Sequence, residues 1–356
     1  MPIRPPNIVT QEITITEISN RLSSVTSYNT YRERHRHNSF YHDPAWADVI
    51  RSCFGHETHW ITVKQNDCLT GVLPLVSIRS RLFGKALVSM PYFNYGGILA
   101  DDSSVTRILV KGALELKAKL KADYIELRQT EKLDSNWPFR SNKVNMLLPL
   151  PGQAETLMKG FKSKLRNQIR RPEKEGCTFH WGQVELLSEF YSVFAENMRD
   201  LGTPVYPSRF FKTILEKFSS QSNIAVVRLR QKPVAAAFLI HYKNKMEIPW
   251  ASSLRSFNPV SPNMMLYWGI LERAIAMEMI QFDFGRSSVG SGTYQFKEQW
   301  GALPHPTFWI YPGSTPSRLP EHSPQSKKFF WATQIWKRLP LFLTNTAGPW
   351  IVKNIP

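Results

Sequence analysis

Ile13, Ile15 and Ile18 are set among Thr and Glu, with the 13/15 step at a period of two, and the segment reads as an opening strand. A polar, basic stretch at residues 31–38 (YRERHRHN) separates it from a predicted helix over 44–50. Asp43 is placed to cap that helix and Pro44 to occupy its first turn. Two apolar runs at 60–64 and 72–78 read as strands joined by a polar turn at Asn66 and Asp67. Residues 89–102 (SMPYFNYGGILADD) read as strand, turn and strand. Apolar positions at helical spacing cover 105–121, and a short strand follows at 124–128.

The pattern then restarts. Residues 155–175 read as a basic helical region in which Pro172 predicts a kink or restart near 168–171. A strand at 178–181, a helix over 184–198, the turn LGTPVYP at 201–207 and a helix over 208–218 come next. Strands are predicted at 224–230, 234–242 and 245–252. Ser261 and Pro262 form an N-cap and first-turn pair for a helix placing Met264, Trp268, Leu271 and Ile275 on one face. Ile280, Phe282 and Phe284 alternate as a strand leading into a glycine loop at 285–292. From about Ser314 a Pro/Ser-rich linker leads to an aromatic, basic tail.

Strands and helices intermixed in two successive halves predict an α/β (α+β) chain with two domains, at 1–152 and 153–312, and a tail at 313–356. A length of 356 residues suits two cores better than one. The hydrophobic fraction of 42% suits a folded globular protein and argues against a disordered chain. With 45 Lys and Arg against 28 Asp and Glu, the formal charge is +17, which draws anions (nucleic acid, nucleotide-linked substrates or acidic lipid) or serves solubility alone. Cys53, Cys68 and Cys177 are scattered without metal spacing, so the expectation is reduced thiols and no metal. Arg4 and prolines at the start replace the apolar stretch of a secretory signal, and no run is long enough to span a bilayer. The expected location is the cytoplasm.

Candidate chemistry clusters in the second half. Lys162, Arg166, Arg170 and Lys174 recur every four residues, and Lys164 and Arg171 widen the stripe. Such a face grips phosphate, or is simply solvated. Arg209 and Arg286 are candidates for phosphate or carboxylate contacts, with structural ion pairs as the other reading. Asp283, at a strand end beside a glycine, is a candidate base, with turn stabilisation the competing role. Asp101 and Asp102 form a second candidate base site. Tyr92, Phe93, Tyr95 and Trp250 line a cleft or pack a core. The start of the Ser261 helix offers free backbone N–H groups to a pyrophosphate. No GxSxG nucleophile and no Walker A motif is present.

The segments KSKLRNQIRRPEKEG (162–176) and FDFGRSSVGSGTYQFKEQWGA (282–302) resemble the basic helix and closing Phe-Lys motif of FemAB proteins. With NMRDLGTPVYP and WASSLRSFNPVSPNMMLYW, the likeness is closest to the FemAB-like subgroup accompanying bacterial exosortase systems. The resemblance implies tandem GNAT acyltransferase-like domains, each a mixed central sheet flanked by helices. It implies acyl transfer without a covalent intermediate or a tightly bound cofactor. Acyl-CoA or aminoacyl-tRNA would be the co-substrate, and an amine on an envelope or exopolysaccharide precursor the acceptor. Phe296 and Lys297 match the Phe-Lys pair, whose lysine would stabilise charge on the carbonyl or leaving group. A non-catalytic RNA- or nucleotide-sugar-binding protein on a degenerate transferase fold is the alternative. The tail's Phe329, Phe330, Trp331, Trp336, Leu339 and Phe342, among Lys327, Lys328, Lys337 and Arg338, suit either a membrane interface or docking on the protein itself.

Overall fold

The computed structural model describes residues 11–16, 26–80, 84–133, 136–319 and 330–355. The alternating opening segment forms β1 (Gln11–Thr16), which pairs antiparallel with β2 (Glu57–Gln65); Ile18 lies outside the described residues. Between them lie α1 (Thr26–Arg34) and α2 (Ala45–Phe54). The Asp43 carboxylate accepts from Ala45 N at 2.9 Å, two residues on, and Pro44 stands between them as the residue immediately before the helix. β2 and β3 (Cys68–Ser80) join through Asn66 and Asp67, both left-handed at φ 49° and 60°. That geometry matches the right-handed twist of a tight hairpin.

Of the strand, turn and strand expected over 89–102, residues 89–98 are a loop and only the second strand forms, as the short β5 (Leu99–Ala100); the strand before the loop is β4 (Gly84–Val88). Met90 and Tyr92 have φ of 50° and 74°, which an extended strand cannot hold. The loop's alternating aromatics serve the core instead: Phe93 stacks on Tyr41 at 4.2 Å and meets Trp46 edge-on. α3 (Ser103–Leu120) lays Val105, Leu109, Ala113 and Leu116 onto Ile61, Leu73 and Ile125. β6 (Tyr124–Gln129), β7 (Phe139–Arg140) and a returning strand, Phe308–Ile310, complete the sheet. Its order is β1-β2-β3-β4-β6, then the returning strand, then β7, with β5 beside β3.

The second sheet is built from β8 (Lys143–Pro149), β9 (Cys177–Gly182), β10 (Ser222–Leu229), β11 (Lys232–Tyr242), β12 (Lys245–Ser253), β13 (Gln281–Ser288) and β14 (Leu303–Pro306). Their order is β14-β8-β13-β12-β11-β10-β9, antiparallel throughout except for β12 with β13. One face is covered by α4 (Ala154–Gly160), α5 (Ser163–Lys174) and α8 (Pro262–Ala276), through Leu165, Ile169, Leu266 and Ile270. The other carries α6 (Leu187–Leu201) and α7 (Ser208–Lys217), whose Phe190, Phe210 and Phe211 pack around Phe238 and Trp250. Strand alternation supplies both faces, as the period of two requires.

Compact units comprise residues 1–140 with 307–320, and 141–306 with 321–355. Relative to divisions at 152 and 312, they trade two short segments, because β8 pairs with β13 and the Phe308–Ile310 strand pairs with β6. The basic region over 155–175 is two helices broken at Phe161 and Lys162. α5 continues through Pro172 without restarting, since only two residues of helix follow it and Glu175 N closes the turn on Arg171 O at 3.2 Å. Ser261 does not cap α8. It lies at φ 55°, ψ 46° as the end of the turn Arg255–Val260, and its hydroxyl faces Asn258 O at 3.4 Å.

Candidate active site at a parted strand seam

The parallel seam of the second sheet is short. β12 and β13 pair only at Lys245↔Gln281, Met246↔Phe282 and Glu247↔Asp283, although both strands run on to Ser253 and Ser288. Each strand kinks where the pairing stops. Against β11, β12 shifts register between Glu247 and Trp250, around Pro249, which has no N–H to give to a ladder. Against β8, β13 shifts between Asp283 and Arg286, around Gly285 at φ 75°. Two bulges at one level part the strands.

Past the split, Asn145 Oδ1, Ser253 Oγ and Ser287 Oγ are buried without a hydrogen-bond partner. A buried polar atom left unmet costs about 1–3 kcal/mol, so a ligand or water that met these three would gain by binding. In the first unit the parallel seam of β4 and β6 behaves differently. Its pairs run from Ala86↔Tyr124 to Val88↔Glu126 and are then closed by the protein itself. Ser89 N donates to Glu126 O at 2.9 Å, and Arg128 N to Ser89 Oγ at 2.7 Å. The buried Arg128 guanidinium fills the remaining space, donating to Glu126 Oε1 at 2.9 Å and Phe93 O at 2.7 Å.

Two sequence candidates meet at the second seam. α9 (Gly292–Glu298) follows β13, and Ser291 Oγ caps it by accepting from Tyr294 N at 3.3 Å. This helix carries the buried Lys297 back to the bulge, where Nζ donates to Gly285 O at 3.0 Å and Arg286 O at 3.2 Å. Burial pushes its ammonium down to about 8, while Asp283 pulls the other way. Asp283, the last paired residue, accepts from Gly285 N at 2.7 Å. Burial pushes its carboxyl up to about 7, against the Gly285 N–H and the Lys297 charge. An acid and a base of nearly matched proton affinity therefore share one bulge. Phe296 packs edge-on against Tyr267 at 5.0 Å. Arg286 is half-buried on β13 opposite Asn145.

Other candidates lie elsewhere. The basic stripe disperses: Lys162 precedes α5 and, with Lys164, lines a cleft of about 750 Å³ beside Gln295, Gln299 and Trp300. Arg166 donates to Phe161 O at 2.6 Å, Arg170 and Lys174 face solvent, and Arg171 pairs with Glu175 at 3.8 Å. A spacing of four drifts around a helix of 3.6 residues per turn, and Lys162 is outside the helix altogether. Arg209 is exposed on α7. Trp250 belongs to the aromatic core between Tyr206, Phe210 and Phe211. Tyr95, in the first unit, is half-buried beside Tyr41 at 6.0 Å. The Asp102 carboxylate accepts from the Ser104 hydroxyl at 2.6 Å and, as the N-cap of α3, from Val105 N at 2.9 Å and Ser104 N at 2.7 Å, and these bonds hold it below its ordinary range. Asp102→Ala is accordingly expected to cost about 1 kcal/mol in denaturant melts and to leave turnover unchanged. Among the described residues no His, Cys, Asp and Glu cluster is placed to hold a metal.

The sequence reading missed Pro249 and the Gly285 carbonyl. A proline inside a strand (EIPWAS) and a glycine after FDF were the signals available. Residues 159–298, which contain this seam, match the family model described as the acetyltransferase (GNAT) domain. No curated protein matches the chain. Among solved structures the chain is similar to FemX at 14% identity and TM-score 0.63, over 83% of this chain and 96% of that one. L-PGS from Bacillus licheniformis is 15% identical with TM-score 0.54, over 89% and 98%. A tandem GNAT protein from the clavulanic acid biosynthesis pathway is 10% identical with TM-score 0.54, over 84% and 97%. The chain thus has the expected fold, two GNAT-like units each with a mixed sheet flanked by helices.

Proposed function

We propose that the second unit transfers an acyl or aminoacyl group directly from an activated donor to an amine. The observation that carries this reading is the parted β12–β13 seam with Lys297 and Asp283 at its apex. Two strands that stop pairing present main-chain donors and acceptors to anything extended that lies between them. The amide-bearing arm of an acyl-CoA is such a group, and the uncapped first turn of α8 suits its pyrophosphate. A charged tRNA is the second donor, favoured by the excess of Lys and Arg.

In the proposed reaction the acceptor nitrogen attacks the donor carbonyl, and the bond to the carrier's sulfur or oxygen breaks. Asp283 receives the proton that the amine loses. Lys297 faces the negative charge that grows on the carbonyl oxygen and then on the leaving group. Phe296 holds the lysine's helix, and Arg286 is the proposed contact for phosphate or carboxylate on the substrate. Lys162, at its cleft, with Arg170 and Arg209 are the proposed contacts for a phosphate-bearing ligand, and Tyr95 for the substrate, whereas Arg166 is engaged by Phe161 O and Trp250 by the aromatic core. The acceptor class we propose is a cell-envelope or exopolysaccharide precursor, met at the inner face of the plasma membrane, with the exosortase-associated FemAB-like subgroup as the family setting.

A thermal-shift comparison tests the donor. At one hundred times its dissociation constant, a ligand stabilises the fold by about 2.7 kcal/mol. Stabilisation by acetyl-CoA identifies a CoA-dependent enzyme, and stabilisation by charged but not uncharged tRNA an aminoacyltransferase. Equal shifts with charged and uncharged tRNA, with none for acetyl-CoA, would move the protein to the RNA-binding reading.

A further inference from the structure

The last two helices of the described chain, α10 (Phe330–Trp336) and α11 (Leu341–Val352), each have one face committed and one open. Along α11 the buried residues are Thr344, Gly348 and Val352, a spacing of four that defines one side of the helix. Gly348 presses against Val205, leaving no room for a side chain there. Thr333 of α10 likewise lies against Gly202 at the end of α6. Both helices are therefore docked on the second unit, which answers half of the question the sequence left open.

The outer side is the unusual one. Phe342, Leu343, Thr346, Ala347 and Trp350 are the exposed positions of α11, a continuous stripe opposite the docked one. Phe342 is 69% and Trp350 68% exposed, and on α10 Trp331 is 75% and Ile335 61% exposed. Side chains of this size placed in water forfeit the burial that normally drives them inside. Charge specifies what covers them. From residue 322 onward the sequence has Lys327, Lys328, Lys337, Arg338 and Lys353 and neither Asp nor Glu. Lys353 sits over the Trp350 ring at 4.3 Å, so cation and aromatic share one surface.

We propose that α10 and α11 dock the protein onto an anionic lipid surface, with the aromatic stripe in the interfacial layer and the lysines and arginine against lipid phosphate. Indole and phenyl rings flanked by cations are suited to that layer. A second copy of the chain is disfavoured as the occupant, because each copy would bring the same acid-free cationic helices and a net charge of +17. No helix among the described residues is long and apolar enough to cross a membrane, so the helices lie on the surface. This inference is independent of the acyl-transfer reading, since none of its residues belongs to the β12–β13 seam.

The test is co-sedimentation of the full chain with vesicles of phosphatidylcholine alone or with about one third phosphatidylglycerol, followed by tryptophan emission. The expected result is binding to the anionic vesicles with a blue shift, weakening as salt rises and small on neutral vesicles. W331A/F342A/W350A and, separately, K337E/R338E/K353E should each lower the vesicle affinity at least about tenfold. The altered side chains are mostly exposed, so melting temperatures should stay at the wild-type value and show that loss of binding is not loss of fold. Wild-type protein left in the supernatant would overturn the proposal, as would either variant binding undiminished. So would a concentration-dependent dimer abolished by W331A/F342A/W350A, which would assign the stripe to a second copy.

Discussion

Lys297→Ala is expected to lower kcat about 10²–10³-fold with a much smaller change in KM, the signature of a group that acts on charge present only in the transition state. The lysine is held by two carbonyls, Gly285 O and Arg286 O, on the strand that leaves the seam. Its charge is therefore fixed in direction before substrate arrives, and burial raises the worth of that charge by excluding water. The same contacts give Lys297 a second task, as a strap across the bulge. Removing it leaves two carbonyls unmet, at about 1–3 kcal/mol each, so some loss of melting temperature is expected as well. Turnover measured well below the melting point, per folded molecule, separates the roles. Lys297→Met, close in volume and apolar, should lose activity as Ala does. Lys297→Arg should keep the fold and recover part of the rate. If all three variants turned over within a few-fold of wild type, the lysine would be a strap alone.

Elements with a strong local period were legible in the sequence. The α8 face, the strands β10 to β12 and the Asn66–Asp67 hairpin are set by side chains a few residues apart. Lys297 and Asp283 were singled out for different reasons, one from a motif and the other from a strand end beside glycine, and the structure brings both to the Gly285 bulge. What joins them was not. The segment 285–292 read as a flexible glycine loop, yet β13 runs to Ser288 and only Gly285 departs from it. A glycine in a loop and a glycine in a bulge look the same until the partner strand is known, because a register shift is a property of a pair. Trp250 illustrates the converse. The bulge at Pro249 turns it from the α8 side to the α6–α7 side, where it becomes core. The basic stripe is divided by its neighbours: Lys162 precedes α5, Arg166 turns to Phe161 O and Arg171 to Glu175, while Arg170 and Lys174 face solvent.

The pH dependence of kcat/KM is expected to be a narrow bell, rising through about 7 and falling through about 8. Asp283 is useful as a base only when ionised, and burial holds its carboxyl at about 7. Lys297 is useful only as the ammonium, and burial holds it at about 8. The two groups interact, so the limbs belong to the pair. Asp283→Asn keeps the hydrogen bond from Gly285 N but cannot take a proton. Its rate should fall about 10²–10⁴-fold, the usual worth of a positioned base, and the acid limb should vanish. Stability gives the independent check, because the signs are opposite. The folded carboxyl, at about 7 against an ordinary 3.8, binds its proton more tightly than the unfolded one. Its contribution is full below about 4 and is lost as pH rises through 7. The folded ammonium, at about 8 against 10.5, gives back stability as pH rises from 8 towards 10.5. Wild-type melting temperature should thus dip between about 7 and 8, where activity peaks. Asp283→Asn should remove the fall between 4 and 7 and be the more stable protein at neutral pH. A variant that lost activity while keeping the wild-type stability profile would detach Asp283 from both titrations. Activity that kept its acid limb in the variant would put the base elsewhere.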